Sequence, residues 1–231
     1  MMPLDWMKYG WEVLWQCLCP SRCVACDEDL EEESLPGSLC AECFALCEPA
    51  PAVGPALLPN APRCHCRFVY EGPLATALLR FKWQGRDDLA RPLGQLMVPL
   101  LAELIQTHDW LVPVPLHPQR LRRRGFNQAT LLARESLRHC PTPRRLRLHP
   151  GLLTATRATA PAHRLGRLER LERTRSRFAV APRAQAQIAN RRIVLLDDVI
   201  TTGATVTACA EALQIAGAVE VTAISLLRVL R

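Results

Sequence analysis

IVLLDDVITTGAT (Ile193–Thr205) is the most informative run in this 231-residue chain. Its first four residues, two of them β-branched, read as a buried strand. The strand ends in two adjacent acids, Asp197 and Asp198, and then Thr201, Thr202, Gly203, Ala204 and Thr205 open a helix. Backbone N–H groups at a helix start, joined by threonine hydroxyls, make a ready anion site. Gly203 removes the Cβ that would block close approach of a phosphate. Carboxylates at the carboxyl end of a strand lie where open α/β sheets bind ligands. Being like-charged, they do not hold phosphate themselves; sugar hydroxyls or a Mg²⁺ ion suit them. A phosphate on one side and hydroxyls on the other describe a phosphorylated ribose. No Gly-Lys-Ser/Thr follows, so this is not a Walker A loop. The competing explanation, that Asp and Thr act only as caps, leaves the two acids next to Thr-Thr-Gly without a reason.

Working outward, Val112–Gln128 reads VPVPLHPQRLRRRGFNQ: a proline-bent loop after a short strand, then Arg120, Arg122, Arg123 and Arg124. Arginine forks match the oxygens of a pyrophosphate, or of DNA phosphates. Taken alone, such a run is also a solvated face. Strands are expected at Phe68–Glu71, Leu111–Leu116, Arg192–Leu196 and Val219–Leu227. Helices are expected at Leu74–Phe81, Ala90–Gln106, Asn127–Arg138 and Ala204–Gly217, the last with Val206, Cys209, Ala210 and Leu213 on one face. Strand and helix in alternation predict an α/β domain with a mainly parallel sheet flanked by helices.

The front of the chain is different. Nine of eleven cysteines lie between Cys17 and Cys66, and Asp27–Glu48 holds eight acids with no lysine or arginine. Arg120–Arg192 holds 19 arginines against three glutamates. Two parts follow: residues 1–63, a cysteine-rich module with the five-proline connector Glu48–Arg63, and residues 64–231, the larger body. Cys23-x2-Cys26 and Cys40-x2-Cys43 are two knuckles whose four thiolates suit a closed structural Zn²⁺ site. Free thiols in a small core, or an iron–sulfur cluster, are the alternatives. Cys64 and Cys66, separated by one residue, make a poor knuckle for a second site. Trp6, Trp11, Val13, Leu14 and Trp15 suggest an amphipathic helix packed on the same protein, with a partner or membrane-surface role as the alternative. Asp5, Lys8 and Glu12 interrupt any signal-peptide core, and no run approaches the roughly 18 to 20 apolar residues of a membrane span. A cytoplasmic protein is expected, with net charge +7 and 49% hydrophobic residues.

Cysteine knuckles, Tyr70–Arg86 (YEGPLATALLRFKWQGR), Val112–Gln128 and VLLDDVITTGATV occur in one order that resembles the ComF family of competence proteins, including its ComFC and GntX-type members. The acid–threonine run is similar to the signature of type I phosphoribosyltransferases, which bind phosphoribosyl pyrophosphate (PRPP). The resemblance implies a type I phosphoribosyltransferase-like sheet with an N-terminal zinc-ribbon-like module. It implies that Thr201–Thr205 hold the 5′-phosphate and that Asp197 and Asp198 bind the ribose hydroxyls, with Mg²⁺ accompanying PRPP. It also implies a part in natural transformation, or in the use of external DNA, handling internalised single strands. Two departures from the family pattern stand out. The second cysteine pair is reduced to Cys64-x-Cys66. Ahead of Phe178, Arg157 is kept, but His163 and Arg173 replace the usual Gln and Asn. Two other functions stay open at this point: a Mg²⁺-dependent transferase with an unknown acceptor, and an adaptor docking a competence helicase or other DNA-processing partner through the zinc module. No general base or base-reading hood is identifiable. Stacking aromatics are sparse in Arg120–Arg192, where only Phe126 and Phe178 occur.

Overall fold

The computed structural model describes residues 22–30, 39–51, 62–140, 146–155 and 177–230. The tryptophan-rich N-terminal stretch, Cys17, Cys19, most of the connector, and Arg157, His163 and Arg173 lie outside the described residues.

Five strands pair in parallel: β1 (Arg63–Val69), β2 (Trp110–Pro113), β3 (Arg147–Leu148), β6 (Arg192–Ile200) and β7 (Glu220–Arg228). Their order across the sheet is β1-β7-β6-β2-β3. The apolar run of β6 is continuous because both of its faces are covered. Val194 and Leu196 join Leu111 and Ile224 in one core, while Ile193 and Leu195 join Val112 and Ala223 in a second. The first core is closed by α2 (Gly72–Trp83), α3 (Ala90–Leu96), α4 (Val98–Leu104) and α6 (Gln128–His139). The second is closed by α7 (Gln185–Ile188), α8 (Ala204–Ile215) and an antiparallel pair, β4 (Leu153–Ala155) with β5 (Phe178–Val180). Two short α-helices, α1 (Ala41–Ala45) and α5 (Pro118–Arg124), and two 3-10 turns, Asp87–Leu89 and Pro182–Ala184, complete the described elements. The expected parallel sheet flanked by helices is therefore present.

Several boundaries differ from the sequence reading, each for a local reason. The single helix expected over Ala90–Gln106 breaks at Met97, because Pro99 has no N–H to continue the ladder and sits in the first turn of α4. Strand β1 begins at Arg63 rather than Phe68, since Cys64 and Cys66 are buried in register with Ala223 and Ser225. Strand β2 stops at Pro113, just before Pro115. Strand β6 runs through both acids to Ile200, because Asp197 and Val199 still pair with Ser225 and Leu227.

The cysteine knuckles lie on the body. Cys23, Val24, Leu39 and Cys43 share the first core with Leu74, Leu78 and Phe81 of α2. Phe44 meets Phe68 edge-on at 6.2 Å, and Arg80 donates to Asp27 Oδ2 at 2.7 Å. The following chain runs antiparallel beside β1, with Val69 N–H donating to the Glu48 carbonyl at 2.8 Å. Among the described residues, no helix is long and apolar enough to cross a membrane.

Helices α3 and α6 touch at Gly94, where an added Cβ would lie 2.7 Å from Glu135 Cβ and 3.1 Å from Ser136 N. Overpacking of this kind costs about 1–3 kcal/mol. Gly94→Ala should therefore lower the unfolding free energy by that amount, read as a lower urea midpoint at unchanged slope, and an unchanged midpoint would show that the helices separate freely.

Candidate functional site

Strand β2 leads through α5 and α6 to β3 on one side, whereas β6 leads through α8 to β7 on the other. The chain thus turns away in opposite directions from two adjacent strands, which opens a crevice beyond their carboxyl ends. A cavity of about 300 Å³ lies there. Of the residues anticipated from sequence, Asp197, Asp198, Thr205, Arg120 and Arg124 line it, joined by Lys82. Thr201, Thr202 and Gly203 form the turn between β6 and α8, and Ala204 opens the helix; all four lie outside that lining. Gly203 has φ 76°, a left-handed conformation that glycine adopts without strain. Having no side chain, it gives α8 no cap of its own, and Thr202 Oγ1 accepts from Ala204 N–H at 3.4 Å instead. Arg122 and Arg123 are exposed and also lie outside the lining.

The arginine run, to which the sequence reading assigned no element, is itself the helix α5. Pro118 opens it, the His117 ring accepts from Gln119 N–H at 3.3 Å, and Gly125 closes it at φ 86°. Three arginines in its last turn complement the helix dipole. Asn127 ties the exit, donating through Nδ2 to the Val114 carbonyl at 3.0 Å and accepting from Ala129 N–H at 3.0 Å.

Both acids are buried, Asp197 at 9% and Asp198 at 3% exposure. Lys82, from the last turn of α2, forms an ion pair with Asp198 Oδ2. Gln128 donates to Asp198 Oδ1 at 3.3 Å, and Arg124 donates in turn to Gln128 Oε1. Asp197 Oδ1 accepts from the Asp198 N–H at 2.9 Å. Burial, and then the neighbouring Asp198 charge, push the Asp197 carboxyl well above its usual range. Sequence reasoning overlooked Lys82 and Gln128. A usable signal existed for the first: Lys82 is one of only two lysines among 29 basic residues.

The four knuckle cysteines converge. Cys23, Cys26, Cys40 and Cys43 place their sulfurs within 4.8 Å of one another, and Cys26 and Cys40 are 3.8 Å apart. A tetrahedron of Zn–S bonds near 2.3 Å has edges of about 3.8 Å, so zinc fits this set. The first knuckle is a turn closed by Asp27 N–H donating to the Cys23 carbonyl at 2.9 Å. The second caps α1, where Cys40 Sγ accepts from Cys43 N–H at 3.4 Å. Burial opposes ionisation of Cys23, but backbone donors at Cys26, Cys40 and Ala25 outweigh it and bring the thiol to about 7. Burial and the neighbouring thiols push Cys43 up, the conflict a cation resolves. Among the described residues, this is the one group of metal-ligating side chains. Cys64 and Cys66 instead belong to the second core; Cys64 donates to the Pro62 carbonyl, and Cys66 accepts from Ser225 Oγ at 3.2 Å.

No family model matches the chain. The curated DNA utilization protein YhgH of Escherichia coli is 34% identical over 162 residues, covering 66% of each chain. Competence protein F of Haemophilus influenzae is 29% identical over 157 residues, again covering 66% of each. The chain belongs to the competence protein F family. The matches span just under two thirds of these relatives. A hypoxanthine phosphoribosyltransferase of Staphylococcus aureus overlaps 62% of this competence protein F relative at 12% identity and TM-score 0.35, too slight a likeness to carry an argument.

Two outcomes follow for this family member. Chelating metal from the folded protein should lower its melting temperature, and Cys23→Ser should reproduce the loss; each kcal/mol corresponds to about 2–4 °C in a chain this size. Identical melting with and without chelator would speak against a metal-held module. The raised Asp197 carboxyl keeps a proton that the unfolded chain gives up near pH 4. Stability should therefore fall as pH rises from about 4 through the raised value. Asp197→Asn should flatten that fall in urea midpoints taken across pH, and an unaltered slope would assign it elsewhere.

Proposed function

We propose that the crevice between β2 and β6 binds PRPP with Mg²⁺, and that the protein acts in the uptake or use of external DNA, handling internalised single strands in the cytoplasm. The observation that carries the first part is the buried Asp197–Asp198 pair at the switch point, with the Thr201–Gly203 turn and the start of α8 on one side and α5 on the other. In this reading the Thr201–Thr205 turn takes the 5′-phosphate through backbone N–H groups and hydroxyls. Asp197 and Asp198 accept from the ribose hydroxyls, and Lys82 balances the Asp198 charge. Arg120 and Arg124 face the pyrophosphate, whose remaining charge Mg²⁺ shares. This is a type I phosphoribosyltransferase-like arrangement. The four-cysteine centre holds a structural Zn²⁺, since four protein ligands leave no position for a reacting water.

The DNA role is supported by the relatives' names and by the arginine-rich body, whose contacts to phosphate need no base sequence. Transfer of the phosphoribosyl group to an acceptor rests on the same cleft: pyrophosphate leaves as positive charge develops at the ribose, and the arginines stabilise the departing group. Docking of a helicase or another DNA-processing partner through the acidic module is the remaining option.

Calorimetric titration of PRPP with Mg²⁺ tests the reading. The native chain should bind, and Asp197→Asn/Asp198→Asn should abolish the heat while keeping a cooperative melt. Absence of heat from folded native protein would overturn the PRPP assignment.

A further inference from the structure

Residue Trp83 ends α2 at the mouth of the cleft and keeps 58% of its surface exposed, while Phe81 two residues earlier is fully buried. A single exposed indole needs no explanation by itself; what distinguishes this one is its surroundings. Its ring is not left to rotate freely. The guanidinium carbons of Arg124 and Arg123 lie 4.9 and 5.4 Å from its centroid, within cation–π reach. Trp83 also lines the same cavity as Asp198 and Thr205, and the preceding Lys82 reaches inward to Asp198.

We propose that Trp83 is a seat for a nucleobase at the cleft mouth, with the exposed Arg122 and Arg123 beside it to meet strand phosphates. Guanidiniums over the ring mark its π-face as a stacking surface, and a base stacks there by taking the place of a guanidinium, leaving the arginines to follow the strand's backbone. An apolar protein partner is disfavoured. Leu79, the other exposed large apolar residue lining the cavity, is small beside the arginines that a dry interface would have to bury. The base belongs either to a single DNA strand or to a free nucleobase serving as acceptor; both offer the same π-face. The seat deepens the cleft reading above and rests on it for its place beside the ribose.

Binding of a short oligothymidine and of an abasic strand of equal length separates stacking from phosphate contact. Native protein should prefer the thymidine strand by roughly tenfold or more. Trp83→Ala should remove that preference without changing abasic binding, and Trp83→Phe should retain most of it. In the second arm, thymine and adenine are titrated with PRPP present, reading fluorescence quenching lost in Trp83→Phe. A Trp83-dependent response in either arm upholds the seat and names its source. Equal binding of both strands together with no Trp83-dependent quenching overturns it. PRPP titration of Trp83→Ala runs alongside: retained PRPP binding with lost stacking locates a failure in the seat alone, and absent PRPP binding in native protein locates it in the cleft.

Discussion

The ion pair between Lys82 and Asp198 is the interaction around which the cleft is organised. Two adjacent carboxylates at the end of a strand covered on both faces are costly to bury, because desolvation and mutual repulsion both oppose their charge. The chain meets that cost in two ways. It supplies one of its two lysines from α2, and it places Gln128 and Arg124 in a relay from α6 and α5. Three separate helices are thereby fastened to one residue of β6. Removing Lys82 would leave the buried Asp198 with Gln128 as a donor but no directly paired counter-charge, a damaging change in such a network.

Much of this was legible in the chain itself. The parallel sheet followed from apolar runs alternating with helical spacing, and the position of Asp197 and Asp198 followed from the end of the Ile193–Leu196 run. The knuckle spacing led directly to the four sulfurs that converge. What sequence left hidden depended on contacts between distant segments. Lys82 sits 116 positions before Asp198, and periodicity cannot report such a partner. Cys64 and Cys66 resemble ligands by composition, yet their pairing with β7 makes them core residues. The Arg120–Arg124 run is too polar to show an apolar face, so Pro118 and Gly125 are the only local signs that it is a helix.

Helix α2 joins the two halves of the molecule. One face, with Leu74, Leu78 and Phe81, packs into the core that includes Cys23 and Cys43. Its last turn carries Lys82 into the cleft and Trp83 to its rim. The cysteine centre and the crevice therefore share a rigid element, although their chemistry is unrelated. A change in the order of the knuckles would act on the same helix that balances the buried acid.

The pairing of β1 with β7 has a consequence for synthesis. Cys64 aligns with Ala223, so the first strand of the sheet waits for a partner made 159 residues later in the chain. Until β7 emerges, β1 has an unpaired edge and the knuckle cysteines lack Ile224 and Leu226 from their shared core. Such long-range parallel pairing folds slowly and cannot proceed from the N-terminus onward. On the ribosome, the first strand of the sheet to appear is stabilised by the last.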